Sequence, residues 1–226
     1  MPRFTFRSDG LATQHYSPFL DDADFGHNWD RVSALWTGEP IDIRWRVWLL
    51  TRFARQASRL PGSFAEFGVY RGGCAYMVLA CAGLPAGHRF FLLDTFTGIP
   101  PAQLSEHERK QEYAQAWRDA SAGDVRRLLA PWLPMVEIVE GDVLETLAGT
   151  ETGPIAFCHL DLNASLPTRH ALEYIYPRLV DGGVLVLDDY GWAGYEEQRA
   201  ALDGFFAAKP EELIALPTGQ AFVLKD

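Results

Sequence analysis

The chain has 226 residues, 48% of them hydrophobic, enough for one large α/β domain with little left for a second. Its net charge of −10 excludes the electrostatic footprint of a nucleic-acid binder and disfavours an anionic membrane surface, since both rest on Lys and Arg. Cys74, Cys81 and Cys158 form no CxxC pair, the N-terminus lacks the apolar core of a signal peptide, and no apolar run reaches membrane-spanning length. The expectation is a soluble protein of the reducing cytoplasm.

Residues 1–42 read as an N-terminal arm or lid and 43–226 as the main domain. Met1 to Trp36 is polar and aromatic with little periodicity, so it is expected to lie apart from the core and either cover a ligand or form a contact in a homo-oligomer. Ile43 to Leu60 carries apolar residues at helical spacing and stops before Pro61-Gly62. Ser63 to Tyr70 reads as a strand, Gly73 to Ala82 as a helix, and Arg89 to Asp94 as a strand buried on both faces. Thr97 to Ala120 contains a charged run, Ser105 to Arg118, expected as a solvated helix that could also cap a ligand. Asp124 to Trp132 follows as a helix, then a strand at Val136 to Val139, a strand at Ile155 to Leu162 and a helix from Pro167 to Leu179. Gly183 to Leu187 is a fifth strand, Tyr195 to Ala208 a helix, and Leu213 to Leu216 with Ala221 to Leu224 a closing strand pair. Strands separated by helices predict βαβ units and a mainly parallel sheet.

The richest segment is Ala65-Glu66-Phe67-Gly68-Val69-Tyr70-Arg71-Gly72-Gly73-Cys74. A strand ends in an acid, and a glycine-punctuated turn opens into a helix. Glycines let the backbone approach a ligand closely, and a helix start offers free N–H groups. The spacing is not Gly-x-Gly-x-x-Gly, which weakens an NAD-dependent oxidoreductase. Glu66 instead suits a ligand with a cationic amino-acid moiety, such as S-adenosylmethionine (SAM).

In an open α/β sheet, ligands bind beyond the carboxyl ends of the strands, and here those ends carry Glu66, Asp94, Asp142, Asp161, Asp188 and Asp189. Asp94 stands where a carboxylate meets a ribose diol, although it could equally cap the turn Thr95 to Gly98. Phe96 could stack on a purine or fill core, and Gly141-Asp142 could meet an adenine edge or simply turn the chain. Asp161, Asp188 and Asp189, with Asn163 nearby, offer oxygen ligands for a hard cation such as Mg²⁺, though singly each could cap a helix or pair with an arginine. By strand alternation His159 shares a face with Asp161 and reads as a core or second-layer residue, while His15 or His27 of the arm could act as a base.

Together, Glu66 to Gly73, Leu93-Asp94-Thr95-Phe96-Thr97-Gly98-Ile99-Pro100, Tyr176-Pro177-Arg178-Leu179, Gly182-Gly183 and Asp188-Asp189-Tyr190-Gly191 resemble the macrocin O-methyltransferase family, over roughly Arg46 to Lys225. The resemblance implies a class I methyltransferase (Rossmann-like) fold: a seven-stranded, mostly parallel sheet with helices on both faces and the last strand antiparallel. It implies SAM and Mg²⁺ as cofactors, a hydroxylated small-molecule acceptor, commonly a sugar of antibiotic biosynthesis, and transfer of a methyl group to oxygen. By motif position Glu66, Gly68, Gly72 and Gly73 would line the methionine part of SAM, Asp94 the ribose and Asp142 the adenine, with Tyr70, Thr95 and Phe96 completing the cofactor set. Asp161, Asp188 and Asp189 fall on metal positions, and Asp161 would also serve as the catalytic base.

Where that family reads Leu-Asp-x-Asp-x-Tyr, this chain reads Leu160-Asp161-Leu162-Asn163-Ala164-Ser165. The acceptor side has therefore changed chemistry. Two alternatives follow: a metal-independent methyltransferase using Asp161 or a lid histidine as base, and a non-catalytic nucleoside-binding protein that keeps the fold.

Overall fold

A computed structural model describes residues 4–36 and 42–226, so residues 1–3 and 37–41 of the expected arm lie outside it. The chain begins with a hairpin, β1 (Phe6–Ser8) and β2 (Leu11–Thr13), then α1 (Ala23–Val32) and α2 (Arg44–Ala57). The central unit runs β3 (Ser63–Phe67), α3 (Gly73–Ala82), β4 (Phe90–Asp94), α4 (Ala122–Leu128), β5 (Val136–Glu140), α5 (Val143–Thr146), β6 (Ile155–Leu160), α6 (Ser165–Ile175) and β7 (Leu179–Leu187). It closes with α7 (Glu196–Phe206), β8 (Ile214–Ala215) and β9 (Ala221–Leu224).

The large sheet has seven strands in the order β5-β4-β3-β6-β7-β9-β8. Neighbours from β5 to β7 are parallel, and β9 runs antiparallel to β7 and β8, as expected for the last strand. Strand alternation sorts the core into two layers. Phe64, Phe90, Leu92, Phe157 and Val186 pack with Val47 and Leu50 of α2 and Met77 and Val78 of α3. Ala65, Phe67, Leu93, Cys158, Leu160 and Leu187 pack with Ala171, Leu172 and Ile175 of α6 and Leu202 of α7.

Two expectations change. The segment from Phe4 to Trp36 is not apart from the core, because Phe6, Phe19, Phe25 and Val32 are buried in the same cluster as α2 and α3. Its helix was legible: Phe25, Trp29 and Val32 share a face, and the Asp22 side chain caps the start by accepting from the Phe25 N–H at 2.9 Å. The charged run Ser105 to Arg118 is not a solvated α-helix but a series of 3₁₀ turns. Buried Glu108 pins it, accepting from the Ser105 N–H at 2.9 Å and, across space, from the Ser165 N–H at the start of α6 at 2.7 Å. A carboxylate there satisfies an orphan N–H and complements the positive end of the helix.

Candidate active site

The carboxyl ends of β3, β4, β6 and β7 meet at one rim. Between β3 and α3 the turn is shaped by Gly68 and Gly72, both at positive φ. A Cβ on Gly68 would lie 1.8 Å from the Asp161 carbonyl oxygen, so only glycine lets β3 and β6 end this close together. The Asp94 side chain fastens the turn: its Oδ2 accepts from the Val69 and Tyr70 N–H groups at 2.6 and 2.7 Å, and its Oδ1 from the Phe96 N–H at 2.7 Å.

Glu66, Gly68, Tyr70, Gly73, Asp94, Thr95 and Asp142 line one cavity, bringing most of the expected cofactor residues together. Gly72 caps α3 outside that lining, and Phe96 is buried in the core cluster, so its core alternative is the one seen. Asp142 caps α5 by accepting from the Leu144 N–H at 2.8 Å, and its other oxygen receives the Gln103 amide.

Strand register carries a buried charged chain along this rim. Glu66 and His159 are direct partners on β3 and β6, on the face toward α2. His159 Nδ1 lies 2.8 Å from Glu66 Oε1 and Nε2 3.4 Å from Asp188 Oδ1. Burial opposes the charged ring, but the bonds to Asp188 and Glu66 raise its pKa well above the ordinary value, while burial raises that of Glu66. Glu66 Oε2 is buried and has no partner among the described residues. Asp188 receives the Arg46 guanidinium at 2.7 Å and the Gln220 amide at 2.7 Å. Burial alone would raise the Asp188 pKa; Arg46 and His159 hold it well below the carboxylate range. Arg46 in turn makes a two-point bond to Asp9 at the hairpin tip, 2.7 and 2.8 Å, and lies over the Trp192 ring.

Asp161 and Asp189 form a second acidic unit, close enough for each to perturb the other's titration. Burial, then the charge of Asp188, pushes Asp161 up to about 7. Burial and the charge of Asp161 push Asp189 well above its ordinary value, so the pair shares a proton. Asp189 Oδ2 is buried and has no partner among the described residues. Asn163 Nδ2 donates to Asp161 Oδ1 at 2.7 Å, and its Oδ1 accepts from the Tyr195 hydroxyl at 3.0 Å. These groups, with Arg46, Trp192 and Tyr195, line a second cavity of about 680 Å³, large enough for a drug-sized organic molecule.

The chain belongs to the macrocin-O-methyltransferase (TylF) family. The family pattern matches residues 49–212, most of the chain. A relative from Streptomyces olivaceus, 8-demethyl-8-(2,3-dimethoxy-alpha-L-rhamnosyl)-tetracenomycin-C 4'-O-methyltransferase, is 30% identical over 145 residues, 59% of this chain and 55% of that protein. The chain thus spans about half the length of that curated relative. Among solved structures, the O-methyltransferase NovP superposes with a TM-score of 0.70 at 22% identity, covering 80% of this chain and 79% of that one. Calicheamicin methyltransferase CalS11 superposes at 0.69 and 23% identity, covering 93% and 94%. The shared fold is the class I methyltransferase architecture expected from the motifs. No helix among the described residues is long and apolar enough to cross a membrane.

Arg46, Gln220 and Tyr195 carried no sequence signal, since their partners lie far along the chain. Trp192 follows the Asp188-Asp189-Tyr190-Gly191 motif directly and was legible by position. The arm histidines His15 and His27 are exposed and line neither cavity, which removes the lid-histidine base among the described residues.

Proposed function

We propose that this protein is a SAM-dependent O-methyltransferase acting on a hydroxyl of a small, sugar-containing molecule in a biosynthetic pathway of the cytoplasm. Family membership supports the reaction class, and the rhamnosyl-tetracenomycin in the name of the Streptomyces olivaceus relative supports the acceptor class. The observation that carries the cofactor is the buried, unpartnered Glu66 Oε2 in the lining of the glycine-turn cavity. A buried carboxylate oxygen without a donor is costly, and a ligand ammonium group answers it.

SAM supplies a methyl group on a sulfonium, which an acceptor oxygen takes in line. The chain's residues bind, align and deprotonate. Glu66, Gly68, Tyr70 and Gly73 hold the amino-acid end. Asp94, already tied to the turn, has remaining lone pairs for a ribose diol, and Asp142 and Thr95 border the nucleoside. His159 and Asp188 fix the orientation of Glu66 from behind. Alignment of two reactants in a dry pocket is the larger part of the rate gain for such a transfer.

Of the three acids proposed for a cation, Asp161 and Asp189 fit. They are oxygen donors that share a proton where a divalent ion would stand, and one Asp189 oxygen lacks any partner. Asp188 already accepts N–H bonds from Arg46 and Gln220, and its remaining lone pairs lie with Asp161 close enough to reach a common ion. Asp161, Asp188 and Asp189 would therefore hold Mg²⁺, which lowers the pKa of a hydroxyl beside it. The engagement of Asp188 also favours a second reading, in which Asp161 is a metal-free base with a raised pKa. Transfer measured with and without chelator separates the two, and thermal shift with SAM, S-adenosylhomocysteine (SAH) and NAD⁺ tests the cofactor: only the first two should stabilise.

A further inference from the structure

Trp36 and Trp117 line both cavities and so stand where the two meet. They come from distant segments, one following α1 and the other in the loop between β4 and α4. Each ends a series of rings. Trp36 stacks on Trp29 at 5.0 Å and 14°, and Trp29 on buried Phe25 at 6.3 Å and 10°. Trp117 lies 6.3 Å from Tyr113, which stacks on Tyr195 at 4.4 Å and 12°.

The fold makes room for one indole and strains the backbone of the other. A Cβ on Gly73 would come within 2.6 Å of Trp36 Cζ2, so the glycine turn is shaped to accept the ring. Trp117 has φ +56, a left-handed backbone that a bulky residue rarely adopts. Gly98 packs under that turn, where a Cβ would lie 2.8 Å from the Ala116 carbonyl oxygen. Strain of this kind persists where the surroundings over-determine it, and it clusters at ligand clamps.

The following step rests on the cofactor reading above. If the glycine-turn cavity holds SAM, the sulfonium sits at the junction, since its methyl must reach the second cavity. A sulfonium is a cation with no N–H to donate, and an aromatic face attracts such a cation through its quadrupole. We propose that Trp36 and Trp117 form an aromatic clamp on the sulfonium that favours the charged methyl donor over its neutral product. SAM carries the charge at that point and SAH, a thioether, does not. The clamp therefore acts on one ligand and not the other, and it weakens once the methyl has left.

The test is isothermal titration of SAM and SAH into the intact protein and into Trp36→Leu, Trp117→Leu and Trp117→Phe. Each Leu variant should lose roughly 2- to 30-fold in SAM affinity while SAH affinity changes by less than about twofold, so the SAM-to-SAH ratio falls. Trp117→Phe should keep an intermediate ratio, because phenyl is the weaker π-face. Equal weakening of both ligands would mean that the tryptophans only shape the cavity, and an unchanged ratio would overturn the clamp outright. Should a Leu variant fail to fold, as circular dichroism would reveal, Trp117→Phe and Trp36→Phe carry the same comparison. Wild-type protein that binds neither ligand would sink the cofactor reading and the clamp with it; binding of both with no change of ratio sinks the clamp alone.

Discussion

The Tyr195 hydroxyl donates to Asn163 Oδ1 at 3.0 Å, while Asn163 Nδ2 donates to Asp161. The amide that stands where a second acid is expected is thus closed at both ends. It works as a strut between an aromatic wall and Asp161 and brings no negative charge for a cation. Asn163→Asp should restore a negative charge beside the Asp161–Asp189 pair and tighten Mg²⁺ by roughly tenfold, about 1.4 kcal/mol. Titration calorimetry checks this, and an unchanged Mg²⁺ affinity would show that the cation does not bind here.

Arg46 is predicted to be the main electrostatic support of the acceptor side. Removing it leaves Asp9 and Asp188 buried without their cation, so Arg46→Met should destabilise the fold by about 3–5 kcal/mol. Urea unfolding measures it. Adding Asp188→Asn to the same chain should recover part of the loss, because the orphaned charge is then gone. A single variant within about 0.5 kcal/mol of wild type would mean that water reaches and solvates these acids.

Gly68→Ala should be among the most damaging small substitutions in the chain. It imposes a side chain at φ +87 and drives a methyl into the Asp161 carbonyl oxygen. Strain and overpacking together predict a loss of about 2–5 kcal/mol, together with failure to bind SAH. Thermal unfolding with and without SAH reads both, and wild-type behaviour in both would contradict the close approach of β3 and β6.

Mg²⁺ binding should depend on pH with a definite sign. Asp161, raised to about 7, shares a proton with Asp189 that a cation must displace. Affinity should therefore rise as pH increases from about 6 to 8, with proton release on binding detectable by buffer-dependent calorimetry. Flat affinity across that window would place the cation elsewhere or favour the metal-free base.

Much of the sheet was legible because β3, β4 and β6 are mostly apolar and buried on both faces, and a parallel strand covered by helices reads as a nearly unbroken apolar run. The glycine turn and the rim acids were legible for a related reason: such residues are tolerated at strand ends only when geometry or a partner requires them. The hairpin escaped because Phe6 is a single apolar anchor in polar surroundings, and tertiary packing decides its structure, whereas α1 carried a helical face and an Asp22 cap that the sequence did show. Glu108 was misread for the opposite reason, since a charge run looks solvated until one of its members finds two backbone N–H groups to bury against. The partners of Asp188 were not legible, because only the fold brings Arg46 and Gln220 to it.

The central claim is that the glycine-turn cavity is the SAM site, and titration of SAH into the wild-type chain and Glu66→Gln tests it most directly. The wild type should bind one equivalent of SAH, and Glu66→Gln should bind it more weakly by about 1–3 kcal/mol, the cost of a lost charge-assisted hydrogen bond. No heat with either SAH or SAM, or undiminished affinity in Glu66→Gln, would contradict the account.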